Sequence, residues 1–337
     1  MNTQSQGNNS IRASATRFIA VWNLAILLVA LIVLFSILKG DTFLTAFTFQ
    51  SMVNSRSINA LVALAVMIPL ASNNFDLSVA SILGIAQVLA NGLVTQQGLP
   101  WEFAALLCIL LGASVGLING LLVTRAKINS FIATLGTGTL LLGLNQWYTG
   151  GMQVVGLLPP NFVALSSNIY GIPAPILYVL LIGLVLWIVF DYLPLGRFLY
   201  IIGDNPRAAE LTGISVNTYV TLAFVASGTI AAFAGVILQA QLQVGQSTVG
   251  QELMLPAFTG ALLGATAIRP GRPNVWGTVL AVAVLAVAVA GLTQLGAPFF
   301  VENLFNGAML ILAVGLAGYT HRRREQRNAA AATNRKT

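Results

Sequence analysis

The sequence predicts an all-α, polytopic membrane protein with about ten transmembrane segments and both termini in the cytoplasm. Three observations lead to this fold class. Of the 337 residues, 57% are hydrophobic and only 7% are charged, whereas soluble domains carry about 25% charged residues. The apolar residues form runs of the length that membrane helices need. The basic residues lie between those runs, predominantly on one predicted side of the membrane.

The apolar runs divide the chain into a polar N-terminal tail at 1–17, one transmembrane domain at 18–320 and a basic C-terminal tail at 321–337. The first run is longer than the core of a signal peptide, so we expect it to remain as the first span. Ten segments are predicted, at 18–38, 58–72, 77–97, 102–124, 130–148, 174–193, 216–242, 255–268, 274–294 and 300–319.

The distribution of Lys and Arg fixes the predicted orientation. With the N-terminus inside, 14 of the 16 basic residues fall on the cytoplasmic side, and only Lys39 and Arg56 fall outside. Cytoplasmic loops of membrane proteins are enriched in Lys and Arg, so this asymmetry supports an even number of spans. The cytoplasmic basic residues are Arg12, Arg17, Arg125, Lys127, Arg197, Arg207, Arg269, Arg272, Arg322, Arg323, Arg324, Arg327, Arg335 and Lys336.

Several functions are excluded by what the chain lacks. The net charge of +7 comes from topology signals and not from a phosphate-binding face, so we expect no nucleic-acid partner. Cys108 and His321 are the only residues of their types, and we therefore predict no metal site and no catalytic residue. The sequence contains no P-loop motif, so the chain itself should bind neither ATP nor Mg²⁺. We expect it not to be an enzyme.

Two of the predicted segments, at 58–72 and 255–268, are shorter than the ~20 residues that a straight transmembrane helix needs. Polar breaks follow them at 72–76 and 269–274, and the two regions also echo each other in sequence. Short, interrupted segments at corresponding places in two halves are typical of a transport path. Chance similarity between apolar sequences is the alternative. The echo pairs Thr95-Gln96-Gln97-Gly98-Leu99-Pro100-Trp101 with Thr293-Gln294-Leu295-Gly296-Ala297-Pro298-Phe299.

Polar residues within or beside the spans are candidates for this path. Asp76 is a candidate because a carboxylate in a span is costly without a partner or water. The favoured alternative is that Asp76 or Ser78 caps the following helix, while Asn73 and Asn74 satisfy freed backbone groups. Polar residues farther inside the spans could equally form interhelical hydrogen bonds. The path candidates are Asn73, Asn74, Asp76, Ser78, Asn91, Asn119 and Gln239.

A polar interlude at 196–213 stands near the middle of the chain and carries the signals of a short helix in its second half. Asp204 or Asn205 can cap the helix start, and Pro206 suits its first position because proline lacks an N–H. Gly213 can end the helix in a left-handed cap. About two turns of helix are not stable alone in water. This helix should therefore lie against its own protein, the lipid surface or a partner.

The interlude resembles the conserved cytoplasmic loop of ribose-type ABC importer permeases. That family carries approximately G-x-x-x-Y-A-I-G-G-N-x-x-A-A-x-x-x-G-I, whereas this chain has Ile201 for the usual Ala and Asp204 for the second Gly. A second family motif, G-G-x-D-L-S-V-G-S, appears here as Asn73-Asn74-Phe75-Asp76-Leu77-Ser78-Val79-Ala80-Ser81. Further matching segments, in the family's order, are Lys127-Ile128, Phe131-Ile132-Ala133-Thr134-Leu135-Gly136-Thr137, Tyr148-Thr149-Gly150-Gly151 and Trp276-Gly277-Thr278.

The resemblance implies a permease subunit in the bacterial cytoplasmic (inner) membrane that imports a monosaccharide or related small polyol. A separate ATPase subunit would bind ATP and Mg²⁺ and dock on the coupling loop at 196–215. An external solute-binding protein would deliver the sugar to the loops at 39–57, 149–173 and 243–254, and a second permease copy or a paralogue would complete the path. The docking residues implied are Gly203, Asp204, Asn205, Pro206, Arg207, Ala208, Ala209, Glu210 and Gly213.

An ion-coupled secondary transporter of a small polar solute is the alternative function. Such carriers use chains of intramembrane Asp, Glu, Lys or His residues. This sequence has no such chain, and Asp76 would have to serve as a lone coupling site.

Overall fold

A computed structural model describes the backbone of residues 3–315 and the side chains of residues 21–315. Over these residues the chain is a helical bundle with four two-residue strands. The C-terminal tail predicted at 321–337, with His321, lies outside the described residues. The helices are α1 Thr3–Phe43, α2 Ala46–Leu70, α3 Val79–Thr95, α4 Trp101–Thr124, α5 Ser130–Thr149, α6 Pro160–Val163, α7 Ala174–Asp191, α8 Pro194–Asp204, α9 Pro206–Leu211, α10 Val216–Leu242, α11 Val249–Gly264, α12 Val275–Gln294 and α13 Phe300–Gly315.

Six helices within the described residues are long and apolar enough to cross a membrane. They contain the spans Val21–Phe43, Ala46–Leu70, Trp101–Thr124, Ala174–Asp191, Val216–Leu242 and Val275–Gln294. The other four predicted segments correspond to α3, α5, α11 and α13, which are not both long enough and apolar enough to be counted with these six. The helical, multi-pass class is confirmed, while the count of ten spans and the orientation of the termini stay predictions.

The prediction of a short segment at 58–72 is wrong. Helix α2 begins at Ala46 and is 25 residues long, with Thr45 as its N-cap. The polar residues before 58 suggest a loop, but two of them have hydrogen-bond partners that are compatible with a helix. Arg56 pairs with Glu302 at 2.8 Å, and Ser57 donates to the Val53 carbonyl at 2.6 Å. The other short segment is confirmed, since α11 has 16 residues.

The second half of α2 forms the axis of the bundle. Every residue from Ser57 to Leu70 is buried, and α7, α10, α11 and α12 pack around it. Helices α4 and α10 approach closely because Gly112 and Gly116 face the backbone of Gly228 and Phe224. A methyl group at either glycine would collide with those backbone atoms. The close approach that the spacing of these glycines predicts is therefore an intramolecular contact.

Long-range contacts define two ends of the bundle. At one end, which we call the basic end, Lys127 contacts Asn217, and Arg269 contacts Asp191. Four connecting segments meet there, at 71–78, 125–129, 192–215, which contains α8 and α9, and 265–274. At the opposite end, β1 Val154–Val155 pairs antiparallel with β4 Val244–Gly245, while β2 Asn168–Ile169 pairs with β3 Ile172–Pro173.

Candidate functional site

The short helix predicted in the polar interlude is present as α9, and its caps are confirmed. The Asn205 side chain accepts a hydrogen bond from the Ala208 N–H at 3.0 Å, and Pro206 occupies the first turn. Gly213 follows the helix with φ of +85°, a left-handed conformation that favours glycine. The cap belongs to Asn205 and not to Asp204, which is the last residue of the preceding helix.

Helix α9 is anchored by one face and exposed on the other. Ala209 is buried against Ile202, Val220 and Phe224. Arg207 and Glu210 project outward and, among the described residues, form only a local pair with each other at 3.2 Å. Gly203 is partly buried, whereas the exposed candidates are Asp204, Asn205, Pro206, Arg207, Ala208, Glu210 and Gly213. The outer face of α9 is therefore exposed, whereas its inner face is held against α8 and α10.

The first half of the interlude, predicted as loop, is also helical. Helix α8 buries Gly196, Leu199, Tyr200 and Ile202 along one side. The sequence carried a signal for it, since Pro194 suits a helix start and apolar residues recur every three to four positions. Gly203 packs directly on the carbonyl of Ala71, where α2 has just ended. Helix α8 therefore joins the exposed α9 to the first polar break.

Ion pairs tie the ends of α7 and α8 to the second polar break as well. Arg272 donates to Asp204 at 2.6 Å, and Arg269 donates to both oxygens of Asp191, at 2.5 and 3.0 Å. The Tyr200 hydroxyl donates to the Pro273 carbonyl at 2.7 Å. Burial raises the pKa of Tyr200 to about 12, so this hydroxyl stays protonated and donates throughout the physiological range.

The break after α2 is an irregular segment packed against α5. Asn73 has φ of +58°, and Asn74 donates to the Ser72 carbonyl at 3.0 Å, as expected for a side chain that satisfies freed backbone. The Phe75 and Leu77 N–H groups donate to the hydroxyls of Ser130 and Thr134 on α5, at 3.2 and 3.1 Å. Asn73 and Asn74 also line a cavity of about 220 Å³ that reaches Pro206 of α9.

Asp76 is fully buried and accepts three hydrogen bonds. One oxygen accepts from the Ser78 N–H at 3.1 Å and from the Ser78 hydroxyl at 2.6 Å. The other accepts from the Ser227 hydroxyl on α10 at 2.9 Å. The N-cap residue of α3 is Ser78, whose side chain makes no capping bond. Asp76 thus hydrogen-bonds to Ser78, the residue immediately before α3. It also connects the first break to α10, and the cap hypothesis did not predict this second contact.

The network continues from Ser78 to two further helices. Asn119 on α4 donates to the Ser78 hydroxyl at 2.8 Å. The Thr137 hydroxyl on α5 in turn donates to the Asn119 side-chain oxygen at 2.8 Å. Asp76, Ser78, Asn119 and Ser227 are all completely buried. The structure therefore brings three of the predicted path residues together in one cluster, which we call the aspartate cluster.

A second cluster, which we call the amide cluster, surrounds the segment after α10. The side-chain amides of Gln87 and Gln239 lie 2.6 Å apart. Gln87 also donates to the Val244 carbonyl at 2.5 Å and accepts from the Gln246 N–H at 3.0 Å. Asn91 donates to the Gln243 carbonyl at 3.4 Å. Sequence reasoning selected Asn91 and Gln239 but missed Gln87, although a spacing of four places Gln87 and Asn91 on one helix face.

These two clusters satisfy irregular backbone inside the bundle. Non-helical backbone at membrane depth is stable only where protein or water supplies its hydrogen bonds. The segment at 243–248 enters the bundle, because Gly250 at the start of α11 packs on Ala80 and Gly84 of α3. This interruption was not predicted, since a short polar run without charges resembles an ordinary loop. Irregular segments therefore contact α3 at its start, through Ser78, and in its second half, through Gln87 and Asn91.

The chain matches one protein-family model over most of its length. The model describes the permease component of a branched-chain amino acid transport system, and it matches residues 48–314. This range contains both clusters and helices α8 and α9. The chain belongs to this family of transport permeases. No solved structure matches the chain significantly.

Curated relatives align over three quarters or more of the chain. A ribose import permease protein of Bacillus subtilis is 32% identical over 286 residues, which cover 84% of this chain and 88% of the relative. A ribose import permease protein of Haemophilus influenzae is 29% identical over 302 residues, covering 88% and 93%. A permease protein of the autoinducer 2 import system of Escherichia coli is 32% identical over 260 residues, covering 75% and 78%.

Proposed function

We propose that this chain is the membrane-spanning subunit of an ATP-driven ABC importer in the bacterial inner membrane. It translocates a monosaccharide or related small polyol that an external solute-binding protein delivers. A separate ATPase subunit binds ATP and Mg²⁺ and docks on α9, and the chain itself performs no catalysis. The likeness to import permeases supports this role. The placement of α9 is the observation that carries it.

Helix α9 is placed to transmit movement from a partner. Its outer face is exposed, while its base at Ala209 packs on Val220 and Phe224 of α10. The same α10 holds Ser227, which donates to Asp76 in the first break. Helix α8 contacts both breaks, since Gly203 packs on Ala71 and Asp204 pairs with Arg272. A push on α9 therefore acts on the irregular segments that could open and close a path.

The chemistry of the buried clusters favours an uncharged, hydroxyl-rich substrate. Apart from Asp76, the two clusters offer amides and hydroxyls, namely Gln87, Asn91, Asn119 and Gln239 with their serine and threonine partners. Amide and hydroxyl groups both donate and accept, so they suit the many hydroxyls of a sugar. An amino acid would need partners for two opposite charges. This argument supports a polyol over the amino acids that the family description names.

A second permease copy, identical or paralogous, would meet the exposed face of α5. Helix α5 packs on α3 and α4 with one side only. The other side exposes Gly136, Thr139 and Gly143, and nothing lies within 4 Å of a methyl group placed on either glycine. Small residues allow a second helix to approach closely.

The docking role can be tested by cysteine cross-linking to the ATPase. The only cysteine, Cys108, is buried, so an introduced cysteine would be the reactive one. Arg207→Cys places a thiol at a side chain that is 81% exposed on α9. We expect this variant to form a cross-link to the co-expressed ATPase that changes with ATP. Tyr170→Cys, at an exposed position on the opposite end, is the matched control.

The cross-linking outcomes separate docking from general proximity. A cross-link at position 207 and none at position 170 supports the proposed function. A cross-link at position 170 alone, or at neither position in a complex that forms normally, would show that α9 is not the docking helix.

A further inference from the structure

Beside α8, at the basic end, lies a polar cavity that neither the path nor the docking surface uses. It measures about 340 Å³ and is lined by Phe190, Asp191, Arg197, Tyr200, Arg269 and Arg272, together with Ile201. Three guanidinium groups and one carboxylate face it. Even with Asp204, which pairs with Arg272, positive charge is in excess. We call this cavity the arginine pocket.

The guanidinium groups in this pocket retain unused donors. Each guanidinium has five N–H groups. Arg269 uses two of them on Asp191. Arg197 makes one hydrogen bond, to the Asp191 carbonyl at 3.2 Å, and has no acidic partner among the described residues. Arg272 lies over the Tyr200 ring, 5.5 Å from its centroid. An oxyanion entering the pocket would therefore find several free donors and a net positive field.

The surroundings place the arginine pocket at the edge of the membrane. Trp187, Tyr192 and Trp276 cluster where α7 ends and α12 begins, with ring centroids 5.2 and 6.5 Å apart. Tryptophan and tyrosine are enriched at the level of lipid headgroups. Ile188 and Leu193, close in sequence to the pocket residues, are exposed apolar side chains. No residue of α9 lines the pocket.

We propose that the arginine pocket binds a phosphate group, and that this phosphate belongs to the headgroup of an anionic phospholipid. Basic pockets between transmembrane helices recognise such headgroups by their charge. The acyl chains would lie along the exposed apolar residues of α7, while the phosphate contacts Arg197 and its neighbours. Because the pocket joins α8 to the loop at 265–274, a bound lipid would stabilise the base from which α9 projects.

Lipid binding to two single variants tests this assignment. Arg197→Gln removes a charge that makes no ion pair within the described residues, whereas Arg125→Gln removes an exposed charge elsewhere at the basic end. Phosphatidylglycerol binding would be measured by native mass spectrometry on the detergent-purified chain. We expect Arg197→Gln to weaken it about fivefold, the contribution of one basic residue at an anionic surface, and Arg125→Gln to leave it unchanged.

Three further measurements distinguish an anionic lipid from free phosphate and from a protein contact. Phosphatidylcholine should bind the wild-type chain more weakly than phosphatidylglycerol, and the difference should shrink as NaCl is raised; this arm needs no variant to fold. Equal binding of the two lipids would overturn the proposal. Stabilisation by inorganic phosphate equal to that by phosphatidylglycerol would show that the lipid is not the source. Loss of ATPase binding in Arg197→Gln with unchanged lipid binding would instead identify a protein contact.

Discussion

Asp76 is the residue that most directly links the polar break to the helices around it. It is fully buried, and its three hydrogen-bond donors come from Ser78 and Ser227. Asparagine offers one oxygen to the Ser78 donors and an amide that can donate to the rotatable Ser227 hydroxyl. Alanine offers neither group. The two substitutions therefore separate the loss of the carboxyl group from the loss of hydrogen bonding.

We predict that Asp76→Asn inserts normally and keeps most of its thermal stability, whereas Asp76→Ala is destabilised by about 1–3 kcal/mol because a buried N–H loses its acceptor. The measurement is thermal unfolding of the purified variants in the same detergent. If Asp76→Asn is as unstable as Asp76→Ala, the network requires something other than hydrogen bonding at this position. Abolished transport in Asp76→Asn at normal membrane levels would show a role beyond structure.

Gly203 sets the distance between α8 and the end of α2. A methyl group there would collide with the Ala71 carbonyl, whereas one at Gly307 in α13 would meet nothing within 4 Å. We predict that Gly203→Ala costs about 1–3 kcal/mol through overpacking. Gly307→Ala, the matched control, should be neutral or slightly stabilising, since alanine is the better helix former. Equal melting temperatures for the two variants would contradict the observed contact.

At the scale of secondary-structure elements, the N-cap residue of α12, Asn274, makes four side-chain hydrogen bonds. The Asn274 oxygen accepts from the Gly277 N–H at 2.8 Å, and its amide donates to the carbonyls of Gly264, Ala267 and Arg272. Asn129, the cap of α5, is exposed and accepts only from Phe131. One residue thus holds together the end of α11, the second break and the start of α12.

We predict that Asn274→Ala costs about 3 kcal/mol, because it removes the acceptor of the Gly277 N–H and the three amide hydrogen bonds that hold the second break to the start of α12. Asn129→Ala should cost about 1 kcal/mol, as an ordinary exposed cap does. Thermal unfolding of both variants under identical conditions provides the comparison. A larger loss for Asn129→Ala would mean that the second break is not held by Asn274.

The outer face of α9 should matter for transport and not for folding. Within the part of the chain that the structure describes, Arg207 and Glu210 pair only with each other, and both are exposed. An isolated surface pair of this kind adds little stability. We predict that Arg207→Ala combined with Glu210→Ala inserts normally, yet uncouples ATP hydrolysis by the complex from uptake. Uptake and hydrolysis are measured in parallel on proteoliposomes. Normal uptake by this double variant would remove the docking role from that face.

Local chemistry explains which elements could be predicted from sequence. Helix α9 was predictable because Asn205, Pro206 and Gly213 affect the backbone of residues that lie within about one helical turn of them in sequence. The start of α2 was not, because Arg56 is accommodated by Glu302, which is 246 positions away in sequence. Gln87 likewise gains its role from Gln239 and Val244. Residues whose partners are distant in sequence carry no local signal of those partners.

At the scale of the whole molecule, the family motifs predicted more than periodicity did. The segments around Asp76 and α9 form separate motifs in the sequence, and the structure places them at one end of the bundle, connected through Gly203 and α10. Neither hydropathy nor spacing could show that contact, since both describe one segment at a time. The entry of 243–248 into the bundle was missed for the same reason.

The central claim is that a separate ATPase drives transport by acting on this chain. The deciding measurement is uptake of a radiolabelled sugar into proteoliposomes that contain the purified chain, with and without its ATPase and solute-binding protein. The account predicts accumulation only when both partners and ATP are present, and none on a proton or sodium gradient alone. Accumulation by the chain alone on such a gradient would contradict it and establish the ion-coupled alternative.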